Sequence, residues 1–372
     1  MTCYPPRDAA WPAKRPAELG VRADALRAAM EYHLAHETIW RRDFLTESGR
    51  YIGVADEPAA PGDILGPIRP RGGPNAVILR HGYIVAEWGD TGRADMSFSV
   101  AKSYLAVLAG VAVARRLIRN IEVPARGYAL DDGFESPENR LITWRHLLEQ
   151  TSEWQGTLWG KPDSIDHNRD VGRSELGSAV KGTPRELRPP GTYWEYNDVR
   201  VNRLSLSLLQ VCRRPLPEVL RNAVMDPIGA STTWEWQPYP NSWVEIDGLR
   251  MPSVPGGSHW GGGLWMSTRD HARFGLLIYG GGRWGDHQLL PESWVAEMRR
   301  PCAVNPQYGL LCWLNTGRAL FKSAPESSYA ARGAGSNLIW IDPEHDLVAV
   351  VRWIDAASAD GFLKLVIASV ER

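Results

Sequence analysis

The sequence predicts an α+β fold of the α/β-sandwich type: an antiparallel β-sheet flanked by helices and built from both chain ends, with a mainly helical lobe inserted between them. Two observations carry this prediction. Short β-rich runs stand at residues 76–86 and again after Asn337, while helical periodicity dominates between about Val123 and Trp236. No internal repeat or low-complexity tract breaks the pattern.

Taken in order, Leu26, Ala29, Met30 and Leu34 recur at helical spacing and predict a helix over Arg22–His36. A Pro- and Gly-rich loop follows from Pro58 to Pro74. Ala76–Leu79 and Tyr83–Ala86 then predict a hairpin, with Gly82 free to take the positive φ of a tight turn. Helices are expected at Trp144–Gln150, Val201–Arg213 and Leu216–Val224. Ser267 to Asp270 has the spacing of a capping box ahead of a helix over Asp270–Tyr279. Pro291 opens a short helix through Met298. Strands at Asn337–Ile341 and Leu347–Trp353 and a helix from about Asp360 to Val370 close the chain. The expected division is 1–122 with 245–372 as the sheet domain and 123–244 as the helical lobe, with a cleft between them as the place for chemistry.

Composition narrows the function. The chain has 372 residues, and 42 Lys and Arg against 43 Asp and Glu leave a net charge of -1, so nothing draws it to nucleic acid or an anionic membrane. A small, largely neutral substrate is expected. The longest apolar run, Tyr104–Ala114, falls short of the ~20 residues that cross a bilayer. The proline-rich start lacks the apolar core of a secretory leader, so a cytoplasmic location is expected. Cys3, Cys212, Cys302 and Cys312 have no zinc-knuckle spacing and read as reduced thiols. His33 and His36 lie one helical turn apart, but no third ligand has metal spacing. The glycines of Gly280–Gly285 follow a helix rather than a strand, the reverse of a dinucleotide site. No G-x-S-x-G elbow, Walker loop or H-E-x-x-H is present.

The chemistry concentrates at Ser97-Phe-Ser99-Val-Ala-Lys102, which leads straight into the apolar run. Ser99 therefore sits in the first turn of a helix that must be central, and Lys102, three residues on, shares its face. A partly desolvated lysine can lose its charge and accept the serine proton. The helix N-terminus adds positive partial charge and a free N–H for an oxyanion. S-x-x-K alone is a short pattern that a helix cap with a snorkelling lysine also satisfies. Two further patterns join it. Tyr196-Asn197-Asp198 precedes the Val201 helix, and Gly333-Ala334-Gly335 precedes the Asn337 strand.

These three occur in the order of the S-x-x-K, Y-x-N and K-T-G elements, and the chain resembles the class C β-lactamases and their esterase and peptidase relatives. Ile142–Ser152 (ITWRHLLEQTS) and Gly263–Asp270 (GLWMSTRD) are similar to further segments of that family. Within it the combination looks like the cytoplasmic esterase and amidase branch that includes nylon-oligomer hydrolases. The resemblance implies a β-lactamase/transpeptidase-like fold, Ser99 as acylated nucleophile, Lys102 as its base and Tyr196 as acid/base partner. No metal or organic cofactor is implied.

Two positions depart from the pattern. Asp198 stands where the family usually has Asn; a carboxylate there could hold Lys102 charged, or could orient a substrate ammonium. Gly333 stands where the family carries Lys or His to grip a substrate carboxylate, which turns the expectation from penicillins toward uncharged esters or amides. Beside Gly335, the Ser336 N–H remains available to complete an oxyanion hole with that of Ser99. Trp144, Trp154, Trp159, Trp194, Trp234, Trp236 and Trp260 gather in or beside the helical lobe, and several are expected to wall the acyl pocket. The leading expectation is a carboxylesterase; an amidase or peptidase on the same machinery, or a silent ligand-binding relative, are the alternatives. Oligomeric state is not legible.

Overall fold

The computed structural model describes residues 2–7, 10–55, 57, 65–171, 180–257 and 259–371. Its centre is a six-stranded sheet, antiparallel at every pairing, in the order Trp313–Leu314, Tyr329–Gly333, Asn337–Asp342, Leu347–Arg352, Asn75–Arg80, Tyr83–Trp88. The two chain ends meet in the middle, where Val77 pairs with Val350 and Leu79 with Val348. Side chains alternate across a strand. Val77, Leu79, Val348 and Val350 therefore enter one core, while Ala76, Ile78, Ala349 and Val351 enter another. Both faces are covered, which is why these strands read as unbroken apolar runs.

The second core is closed by the helices Ala23–Ala35 and Ala359–Ala368, through Leu26, Ala29, Phe362, Leu363 and Val366. The first core carries the helix Thr268–Tyr279 and, deeper, the helix Ala101–Ala114, in which every residue from Ala101 to Ala112 is buried. Leu105 and Leu108 are fully enclosed there, and each contributes roughly 1.5–3 kcal/mol. Against it packs the helix Asp198–Cys212, followed by Leu216–Leu220 and a π-turn over Arg221–Met225. Among the described residues no helix is long and apolar enough to cross a membrane.

The expected hairpin forms, and its two-residue turn places both His81 (φ 49°) and Gly82 (φ 79°) in the left-handed region, as a type I′ turn requires. Other expectations shift. The helix expected from Val201 begins at Asp198, because the Asn197 side chain accepts from Arg200 N at 3.1 Å and caps it. Ser267 likewise caps the next helix by accepting from Asp270 N, but the Asp270 carboxylate turns away to accept from Ser231 N and Oγ, so the reciprocal half of a capping box is absent. Strands at Trp313–Leu314 and Tyr329–Gly333, and a three-stranded sheet of Asp95–Met96, Gly263–Met266 and Glu235–Gln237, were not foreseen. Residues 123–244 give no strand to the six-stranded sheet, and we propose them as the helical lobe, although the strand Trp243–Ile246 crosses that boundary to pair with Leu249–Pro252.

Candidate active site

Ser99 lies in a single 3-10 turn, Phe98–Val100, that joins the Asp95–Met96 strand to the buried helix. Phe98 takes φ 49°, a costly conformation for a bulky residue. Edge-on contacts with Trp40 and Phe44, both at 5.6 Å between ring centres, hold it there. From below, Ser97 N donates to Leu264 O at 2.8 Å, and Ser97 Oγ meets His271 Nε2 at 2.8 Å. His271 Nδ1 in turn meets Tyr104 OH at 2.9 Å, and burial drives this imidazole well below its ordinary pKa, so the relay is neutral.

The turn leaves Ser99 half-buried, with its Oγ 2.9 Å from Lys102 Nζ. Lys102 is almost wholly enclosed and also donates to Asp198 Oδ1 at 2.5 Å. The other Asp198 oxygen accepts from Arg169 at 2.7 Å, and Asp198 N donates to Asp166 Oδ2 at 2.9 Å. Burial alone would raise the Asp198 carboxyl; Arg169 and Lys102 more than reverse this and hold it far below the carboxylate range. Both oxygens of Asp198 thus carry a cation from the chain itself. Gly257 lies directly over the pair: a Cβ there would stand 2.7 Å from Asp198 Oδ1 and 2.9 Å from Lys102 Nζ, so only glycine lets the backbone seal it.

Tyr196 is buried beside the pair. Its ring stacks on Trp313 at 5.6 Å, and the Lys102 nitrogen stands over it, 4.6 Å from the ring centre. Across the turn, the end of the Tyr329–Gly333 strand presses on the nucleophile: a Cβ on Gly333 would meet Ser97 O at 2.3 Å and Ser99 N at 3.2 Å. Gly335 (φ 68°) and Ser336 (φ 54°) then bend the backbone back into the Asn337 strand. Arg332, the residue before Gly333, stacks over the Trp313 and Phe321 rings and does not line the pocket.

Ser99 opens into a pocket of about 200 Å³. Trp40, Ile52 and Phe98 give it an apolar wall, and Arg169, Lys181 and His259 a polar one, with Ala334 at the rim. Several of the seven tryptophans named above were expected to wall it, but none of them lines it. Trp144, Trp154, Trp194, Trp234, Trp236 and Trp260 are buried in the core, because so large an apolar surface gains most where water is fully excluded. Behind the polar wall, Glu57 accepts from Trp260 Nε1 at 2.9 Å and lies 2.5 Å from His259 Nε2. Ligand atoms of Glu57, Asp166 and His259 fall within 4.8 Å of one another, but the Lys181 nitrogen already lies 3.1, 3.3 and 3.1 Å from them and balances their charge from within the chain. Burial would raise Glu57, yet His259 and Lys181 lower it to about 2. Arg169, Lys181, His259 and Glu57 come from loops and carry no sequence signal that could have singled them out.

A serine and a lysine one turn apart at the head of a buried helix, beside a sheet drawn from both chain ends, define a β-lactamase-fold hydrolase. The model of the β-lactamase family matches residues 87–359, and the chain belongs to that family. Solved structures agree on the fold. A β-lactamase from Mycobacterium bovis superposes with a TM-score of 0.56 at 18% identity, covering 80% of this chain and 95% of that one. EstCE1, a hydrolase with promiscuous acyltransferase activity, gives 0.56 at 16% identity over 94% and 98%. A protein assigned as a 6-aminohexanoate-dimer hydrolase from Bacillus anthracis gives 0.55 at 16% identity over 79% and 77%. A comparison with curated proteins yields no match.

Proposed function

We propose that the chain is a serine hydrolase that works through an acyl-enzyme on Ser99 and acts as a carboxylesterase on small uncharged esters. The observation that carries this reading is the 2.9 Å approach of Lys102 Nζ to Ser99 Oγ at a pocket floor. Once Lys102 has given up its proton, it takes that of Ser99 as Oγ bonds to the ester carbonyl carbon. The carbonyl oxygen becomes an oxyanion, received by the backbone N–H groups of Ser99 and Ser336. Collapse expels the alkoxide, which Tyr196 helps to protonate, and water then releases the acid from Ser99 by the same path.

The size of the pocket favours short acyl groups. Its cations favour uncharged ones, because Arg169 and Lys181 are already paired with Asp198, Asp166 and Glu57. Ser99→Ala is expected to abolish turnover of p-nitrophenyl acetate and labelling by a fluorophosphonate probe; full activity in that variant would sink the reading. Amide hydrolysis is the second reading, favoured by the shared fold of the 6-aminohexanoate-dimer hydrolase. Matched ester and anilide substrates separate the two, and an unlabelled Ser99 would point instead to a binding-only relative.

A further inference from the structure

Arg352 ends the central strand Leu347–Arg352 and is 1% exposed, yet among the described residues it forms no ion pair. Burial lowers its guanidinium to about 10, with the Asp95 carboxylate opposing this from beyond ion-pair distance. An enclosed cation with no carboxylate in direct contact is expensive, so packing alone does not explain an arginine here. Its donors diverge instead to three chain segments. Nη2 donates to Met96 O at 2.7 Å, Nη1 to Met266 O at 2.6 Å and Nε to Asn337 Oδ1 at 2.6 Å. Asn337 passes the tie on, its Nδ2 donating to Ala334 O at 2.7 Å.

The two outer ties end at corresponding places. Met96 lies two residues before Phe98, and Ala334 two residues before Ser336; Phe98 and Ser336 are non-glycine residues with positive φ, at 49° and 54°, and Phe98 and Ala334 line the pocket. Each strained residue sets the direction of a backbone N–H to which the proposed mechanism gives the oxyanion: that of Ser99, next after Phe98, and that of Ser336 itself. A planar guanidinium with fixed donor angles fixes the distance between both anchors at once, which a lysine could not do.

We propose that Arg352, acting through Asn337, is a positioning residue that sets the spacing of the two oxyanion-binding N–H groups. The inference rests on the acyl-enzyme reading above and adds to it the device that holds the hole open. Asn337→Asp separates this role from a structural one. The new carboxylate still accepts from Arg352, and pairs its charge, but loses the donor to Ala334 O.

The experiment measures kcat and KM for p-nitrophenyl acetate, inhibition by an aryl boronic acid whose tetrahedral adduct fills the oxyanion site, and Tm, for Asn337→Asp, Arg352→Lys and the double variant. Asn337→Asp is expected to keep its Tm within a few degrees and its KM within about threefold, while kcat and boronate affinity each fall about tenfold or more. The double variant should lose no more than the worse single one. A folded Asn337→Asp enzyme with wild-type kcat, or losses that multiply in the double variant, overturns the inference; should Arg352→Lys fail to fold, Asn337→Asp alone decides. Failure of the acyl-enzyme reading looks different, because turnover would then survive Ser99→Ala in the otherwise unaltered chain.

Discussion

Asp198 accepts from the Lys102 nitrogen at 2.5 Å, a shorter approach than the 2.9 Å between that nitrogen and Ser99 Oγ. The Asp198 carboxyl, held far below its ordinary range by Arg169 and Lys102, stays ionised throughout the working pH range. It competes with Ser99 for the same nitrogen.

Activity should therefore respond to this carboxylate. Asp198→Asn removes the anion that competes with Ser99 for the Lys102 nitrogen, and fluorophosphonate labelling of Ser99 at neutral pH is expected to quicken about tenfold. Labelling time courses of both enzymes check this, and an unchanged rate would show that Asp198 does not restrain the base.

Restoring the family's lysine at Gly333 should not create a penicillin-hydrolysing enzyme. Any Cβ at this position meets Ser97 O at 2.3 Å, a backbone atom that cannot swing aside. Gly333→Ala and Gly333→Lys are each expected to lose about 1–3 kcal/mol of stability and to slow fluorophosphonate labelling of Ser99. Urea melts and labelling time courses measure both effects.

The pocket wall predicts acyl preference. Trp40→Ala opens the apolar side next to Phe98, so the ratio of kcat/KM for a hexanoate over an acetate ester should rise roughly tenfold. An unchanged ratio would place the acyl chain elsewhere.

His33 gives a pH signature of stability. Its Nδ1 accepts from Trp88 Nε1 at 3.1 Å while Nε2 meets Arg352 O at 3.0 Å, which selects the neutral Nε2–H tautomer. Burial lowers its pKa from 6.5 to about 4. The unfolded chain thus binds a proton that the folded one refuses. This contribution is complete above pH 6.5 and is lost as pH falls to 4, worth about 3 kcal/mol. His33→Gln should flatten denaturation midpoints across that window.

The residues legible in the sequence are those whose partners lie close along the chain. Ser99 and Lys102 share one helical turn, and Tyr196 and Asp198 flank one cap, so spacing alone brought each pair together. The pairing of Lys102 with Asp198 was foreseen only as one of two options, since it depends on where the Asn197 cap starts the helix. Arg169, Lys181, His259 and Glu57 reach the pocket through tertiary placement of separate loops, which no periodicity encodes. The strand Tyr329–Gly333 escaped notice because Ala-Ala-Arg-Gly has little β-propensity; it forms since neighbours on both sides supply its hydrogen bonds. Six of the seven tryptophans took the core, the default for any single one of them, and composition alone does not tell which would wall a pocket.

Pairing Asn75–Arg80 with Leu347–Arg352 has a consequence for biosynthesis. A growing polypeptide holds its first hairpin without a neighbour for some 270 residues of translation, with an apolar edge open to aggregation. On our proposal, the Ser99 and Ser336 N–H groups take their spacing only once Asn337 and Arg352, some 240 and 250 residues after Ser99, have joined the fold.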